Sequence, residues 1–302
     1  MLRIRILTAV VLLPLLLALL LQGPVWGVAF LIIALISVSV FEMSTMIQPR
    51  LDEVLRNYAA VGDDIGEEKS IYVAASRPSH YRYLALFCCF VMNVIFTVSA
   101  LYDLQAGRGI IVFGLIFSTL AGVFATRRIE AEMARILGFV ITLVYAGFPW
   151  LVIWDLYIKD PNAQYLILVL LVVWMGDTGG YFGGRFFGKH KLAPLKSPKK
   201  TWEGAFSALL ASVAGAWVWH NYNQQNTSVS LVTALSCGLL GGVSGQMGDL
   251  VESVIKRFTG VKDSGAILPG HGGLLDRIDG VLFAGPVIWL VLYISNVSAK
   301  LD

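Results

Sequence analysis

The sequence predicts an all-α, polytopic integral membrane protein of about nine transmembrane helices, with a catalytic segment between the last two. Three observations lead there. Of the 302 residues, 57% are hydrophobic and only 14% charged, where a soluble domain carries about 25% charged residues. Apolar runs long enough to cross a bilayer, roughly 17 to 25 residues each, recur along the whole chain. The lysines and arginines fall almost wholly in alternate connections, the signature of a chain threaded repeatedly through a membrane. A formal charge of +3 is mild and gives no reason to expect a nucleic-acid partner.

The first run, residues 6–21 after the basic start Met1 to Arg5, imitates a secretory signal. It passes into Gln22-Gly23-Pro24 without a small-x-small cleavage site, so it reads as a retained first span. The spans expected are residues 6–22, 25–47, 83–101, 110–125, 136–154, 165–184, 205–220, 231–248 and 281–298. With the amino terminus in the cytoplasm, 20 of the 23 lysines and arginines lie inside, and only Arg108, Lys159 and Lys300 outside. Losing one span would flip every later loop, so the asymmetry supports count and orientation together. The expected location is the plasma (inner) membrane, with the polar centre facing the cytoplasm.

Two regions follow: amino-terminal spans over 1–160 and a carboxyl-terminal catalytic region over 161–302. The connection 48–82 is expected to be a solvated loop, and its acidic run Asp63, Asp64, Glu67, Glu68 is assigned no chemistry. Asn226-Thr227-Ser228 matches a glycosylation acceptor, a pattern too short to weigh. Cys88, Cys89 and Cys237 lie inside apolar runs at no metal-ligand spacing and read as small hydrophobes. Gly238, Gly241, Gly242, Gly245 and Gly248 recur at helical spacing, which suits close helix packing.

The polar centre is Asp249 to Asp279. Nine of its 31 residues are charged: Asp249, Glu252, Lys256, Arg257, Lys262, Asp263, Asp276, Arg277 and Asp279. His271 sits among them, in a Pro269 to Gly273 turn whose glycines let backbone approach a ligand. Leu250, Val251, Val254, Ile255 and Phe258 fall at helical spacing, opposite Asp249, Glu252, Ser253 and Lys256. The eighth span is therefore expected to continue as an amphipathic helix to Gly260. Carboxylates, basic groups and a helix mouth after a glycine-rich turn suit a polyphosphate with a divalent cation. Mg²⁺ takes one or two carboxylates along with water and substrate phosphates, and Asp249 with Asp276 is the pair reaching from successive helices. The competing reading is that these two form salt bridges with Lys256 and Arg277.

A second polar group runs from Asp177, a carboxylate inside an apolar span and so a functional candidate, to Ser197, Lys199, Lys200, Thr201 and Glu203. Gly183 to Lys189 has the GxxxxGK spacing of a phosphate loop, but His190 stands where Ser or Thr is required and no strand precedes it. Ser197 to Lys200 can meet phosphates as point charges or anionic lipid at the membrane surface. No HExxH, nucleophile elbow or CxxC pair is present in the sequence, so metalloprotease, serine-hydrolase and thiol-redox chemistry lack support.

From Ser253 to Asp279 the chain reads S-x-x-K-R, four residues, K-D, then P-x-H-G-G-x-x-D-R-x-D. This resembles, without a departure, the signature of the phosphatidate cytidylyltransferase (CDP-diacylglycerol synthase) family. Residues 176–190 and 197–204 look like that family's as well, whereas the amino-terminal half resembles it only in its apolar spans. The resemblance implies cytidylyl transfer from CTP to phosphatidate in the inner leaflet, releasing pyrophosphate, with Mg²⁺ as cofactor. By matching position it implies Asp249 and Asp276 as metal carboxylates. Lys256, Arg257, Lys262, Asp263, His271, Arg277 and Asp279 would complete the catalytic segment, and Asp177, Ser197, Lys199, Lys200, Thr201 and Glu203 would bind substrate. A homodimer is allowed. Alternatives are another CTP-dependent lipid kinase or nucleotidyltransferase, or a transporter using Asp177 and the centre as an ion path.

Overall fold

The computed structural model describes residues 14–62, 78–101, 129–160, 162–224, 227–267 and 272–298. After a helical stretch at 14–22 come α1 (Val25–Gly62), α2 (Pro78–Leu101) and α3 (Ile129–Thr142). A π-helical turn, Leu143–Gly147, leads to α4 (Pro149–Ile158), then α5 (Gln164–Phe187). Strands β1 (Lys191–Ala193) and β2 (Ser197–Thr201) precede α6 (Trp202–Asn223), α7 (Leu231–Thr259) and α8 (Leu275–Ser298). Among the described residues, five helices are long and apolar enough to cross a membrane: Val25–Leu55, Ile136–Ile158, Gln164–Phe187, Leu231–Thr259 and Leu275–Ser295. The chain is thus a helical, multi-pass membrane protein. The expected span at 110–125 and residues 6–13 of that at 6–22 lie outside the described residues. The one at 83–101 is matched by α2, whose apolar part is Ala85–Ala100. The one at 205–220 is helical throughout, within α6, but is not among the five.

Two expectations are corrected. Residues 48–62 are not loop but the end of α1, because Leu51 to Val61 contains good helix formers and Arg50 pairs with Glu53 one turn on, at 2.7 Å. The all-α expectation also omits one antiparallel hairpin, with Lys191 opposite Thr201 and Ala193 opposite Ser197. Gly188 ends α5, and Pro194 and Pro198 forbid a helix across the next stretch, leaving an extended return as the economical path.

The chain divides into two compact units. In the unit of Ala29–Leu151 and Phe258–Leu275, buried polar groups tie the helices together. Ser39 Oγ donates to the Ala146 carbonyl at 3.1 Å and accepts from Trp150 Nε1 at 3.1 Å, while Asn93 donates to Ser37 Oγ at 2.8 Å. The Ala146 carbonyl meets Ser39 beside Pro149, which has no N–H to offer the preceding turn.

The other unit holds Met1–Val28, Val152–Arg257 and Asp276–Asp302. Here α5 and α6 pack closely along their length, because small residues line the seam. A Cβ added at Gly183 would stand 2.1 Å from Ser207 Oγ, and one at Gly242 of α7 would stand 2.6 Å from Ser212 Cβ. The glycines at helical spacing therefore serve close packing, as the sequence suggests. Ser212 donates to the Val172 carbonyl at 2.8 Å and Trp219 Nε1 to that of Gln164 at 2.8 Å, so polar bonds lock the same seam. Asp160 accepts from the Gln164 amide at 2.7 Å, starting α5.

Candidate functional site

α7 runs on to Thr259, and Gly260, at φ +72, stops it where the sequence predicts. On its last turns Asp249, Glu252 and Lys256 share one side because residues three and four apart stack. Gly248 lets α8 come close: an added Cβ would lie 2.6 Å from the Asp279 carbonyl. That approach brings the first turns of α8, with Asp276 and Asp279, against the carboxylates of α7. One oxygen each from Asp249, Glu252 and Asp279 lies within 4.8 Å of the other two.

Three carboxylates this close repel unless positive charge stands among them. Two lysines supply part of it. Lys256 Nζ contacts Glu252 at 2.8 Å and Asp276 at 2.7 Å, and Lys200 Nζ contacts Asp249 at 2.6 Å. Glu252 is 1% exposed, and its Oε1 has no hydrogen-bond partner. A buried oxygen left without a partner costs about 1–3 kcal/mol or more when charged, and a cation would engage it. Hard oxygen donors converging from two helices suit Mg²⁺.

Beside this cluster lies a cavity of about 340 Å³. Asp177, Arg185, Lys199, Lys200, Gln246 and Asp249 supply its polar lining, and Gly176, Gly180 and Gly184 give it a backbone wall. Thr201 lines it too, while its hydroxyl caps α6 by accepting from the Gly204 amide at 3.2 Å. Glu203 is occupied elsewhere. It accepts from the Lys189 amide at 3.1 Å and the His190 amide at 3.2 Å, and meets His190 Nδ1 at 2.6 Å. These bonds, the imidazole's first, hold its carboxyl down to about 2. Ser197 opens β2 and pairs with Ala193.

Of the sequence-predicted residues, Asp249, Lys256, Asp276 and Asp279 converge, with Asp177, Lys199, Lys200 and Thr201 around the adjoining cavity. Asp276 sits on Lys256 and outside the trio. Arg257 Nε donates to the Lys196 carbonyl at 3.3 Å, and Arg277 is exposed. Lys262 and Asp263 belong to the other unit, and His271 lies outside the described residues. Glu252 is not among the residues for which the sequence predicts a role. Its signal was present: three residues after Asp249 and four before Lys256, on the polar face of the same helix.

Clustered carboxylates and lysines thus border a glycine-walled cavity in a helical chain with several membrane-spanning segments. Residues 3–295 match the Cytidylyltransferase family, and the chain belongs to it. A phosphatidate cytidylyltransferase of Staphylococcus epidermidis is 40% identical over 151 residues, which are 50% of this chain and 56% of that protein. One of Staphylococcus haemolyticus is 43% identical over 134 residues, 44% and 51% of the two chains. One of Staphylococcus aureus is 38% identical over 151 residues, 50% and 56%. The chain spans about half the length of the curated relatives it matches.

Proposed function

We propose that the chain transfers a cytidylyl group from CTP to phosphatidate, giving CDP-diacylglycerol and pyrophosphate. The observation that carries this reading is the carboxylate trio of Asp249, Glu252 and Asp279, with two lysines at its edge and a cavity beside it. Family membership and the names of the relatives support it.

The nucleophile needs no strong base. A phosphate monoester has its second pKa near about 6 and is largely ionised at neutral pH, so the protein's task is to bring two anions together in line and spread the charge of the leaving group. Lys199 and Lys200 face the cavity, where a triphosphate would meet them as point charges. Lys256 holds Glu252 and Asp276 in register, keeping α7 and α8 in fixed relation at the reacting end. Asp249, Glu252 and Asp279 would hold Mg²⁺, with Asp276 beside them through Lys256. Bound there, the metal would supply Lewis acidity toward phosphoryl oxygens.

In this reading the full complement of spans is about nine, the catalytic region lies in 161–302, and its face is cytoplasmic in the plasma membrane. Phosphatidate would enter sideways from the inner leaflet and CTP from the cytosol. The test uses purified protein in lipid micelles with phosphatidate, CTP and Mg²⁺, with and without chelator. CDP-diacylglycerol with matching pyrophosphate, both abolished by chelator, is expected. Folded protein that makes neither overturns the proposal.

A further inference from the structure

Helix α8 begins without a cap of its own. The position before it is Leu274, a hydrocarbon where Ser, Thr, Asp or Asn would ordinarily accept from the first free amides. The acceptor comes from a residue 233 positions away. Glu42, on α1 and 3% exposed, accepts from the Leu274 amide at 3.1 Å and the Leu275 amide at 3.0 Å, and its Oε2 lies 3.2 Å from the Ser264 hydroxyl. Two glycines make room for it. A Cβ at Gly265 would stand 2.2 Å from Glu42 Oε1, and one at Gly273 would stand 2.8 Å from Oε2. An acidic group at a helix amino terminus is also favoured by the backbone dipoles. Donors, glycines and buried carboxylate thus form one fitted arrangement around a single side chain, all within one compact unit.

We infer that Glu42 is a positioning residue for the reaction: by capping Leu274 and Leu275 and holding Ser264, it fixes where α8 starts, and Asp276 is the next residue in the chain. The inference rests on the reading of the Asp249–Asp279 segment as catalytic. It gives the amino-terminal spans a specific duty, since α1 supplies the cap that the signature segment lacks. Glu42 touches no reacting atom. Its influence passes through the backbone at 274–275 to the carboxylates that follow.

The test compares the full chain with Glu42→Gln, which keeps one acceptor oxygen, and Glu42→Met, which keeps the volume and removes both. Hydrogen-exchange mass spectrometry on the peptide containing Leu274 and Leu275 reads the cap without reference to activity. Exchange there is expected to rise about tenfold in Glu42→Met and less in Glu42→Gln, with α5 and α6 unchanged. Turnover with CTP and phosphatidate should fall about tenfold or more in Glu42→Met, mainly in kcat, with the Mg²⁺ concentration for half-maximal rate raised severalfold. A purely structural role would lower the amount of folded protein and leave kcat per folded molecule and the Mg²⁺ midpoint unmoved. Should Glu42→Met fail to fold, Glu42→Gln and Gly265→Ala, which crowds the same carboxylate, carry the comparison. Wild-type exchange at Leu274 and Leu275 in folded variants overturns the cap, and wild-type kcat and Mg²⁺ midpoint overturn the positioning role. An inactive wild type whose cap nevertheless responds to the substitutions would count against the cytidylyl-transfer reading instead.

Discussion

Replacing Lys256 with methionine removes an ammonium that touches both Glu252 and Asp276. Those carboxylates have side chains 1% and 9% exposed, against 16% for the lysine, so water cannot replace the lost charge. Removing one partner of a buried pair costs about 3–5 kcal/mol, and the partial exposure of Lys256 favours the lower end, about 3 kcal/mol. At about 2–4 °C per kcal/mol for a chain of this size, the apparent melting midpoint should fall by roughly 6–12 °C. The assay is tryptophan fluorescence of detergent-solubilised protein on heating, with divalent cations chelated so that lysine is the countercharge under test. Glu252→Gln combined with Lys256→Met should recover part of the loss, because Glu252 then carries no charge while Asp276 still lacks the ammonium. Added Mg²⁺ should raise the midpoint of the single variant more than that of the double. A single variant melting within about 2 °C of wild type, or a double variant no better than the single, would refute the clamp.

Three further outcomes are expected. Gly248→Ala places a Cβ 2.6 Å from the Asp279 carbonyl, so it should destabilise by about 1–3 kcal/mol and lower turnover, read by thermal melting and product assay together; Gly260→Ala meets open space but takes φ +72, so it should cost about 1–2 kcal/mol through backbone strain while leaving the approach of α7 and α8 intact. The Glu203 carboxyl lies at about 2, against an ordinary value of 4.5. Its contribution to holding the hairpin is therefore complete above 4.5 and lost as pH falls toward 2. Limited acid proteolysis between β1 and β2 should show this, and Glu203→Gln should erase the pH dependence. Lys199→Ala should raise the KM for CTP several-fold with little change in kcat if it meets the bound triphosphate in the cavity, and steady-state kinetics at varied CTP would show it.

The polar centre was legible because charge stands out against an apolar chain, and periodicity alone carried α7 past the membrane to Gly260. The composition of the cluster was not. Spacing put Glu252 on the face of Asp249, but which α8 carboxylate would join them depended on the closeness that Gly248 permits, a tertiary fact. So Asp279 completes the trio, and Asp276, the partner expected from sequence, is taken by Lys256. The salt-bridge reading was thus half realised, through Lys256 for Asp276 and through Lys200, from a distant hairpin, for Asp249. The hairpin escaped notice because strands of three and five residues, broken by prolines, show no alternation to detect. Glu42, a carboxylate inside the apolar run 25–47, carries the same signal that singles out Asp177.

The central claim is that the nucleotide's α-phosphorus, and not its γ-phosphorus, ends on the lipid. Protein reconstituted with phosphatidate would be given CTP labelled at either position, and the lipid and aqueous products separated. The account predicts α-label in the lipid, γ-label only in pyrophosphate, and neither product after Asp249→Asn. γ-Label in the lipid, with CDP released, would contradict it and make the chain a lipid kinase.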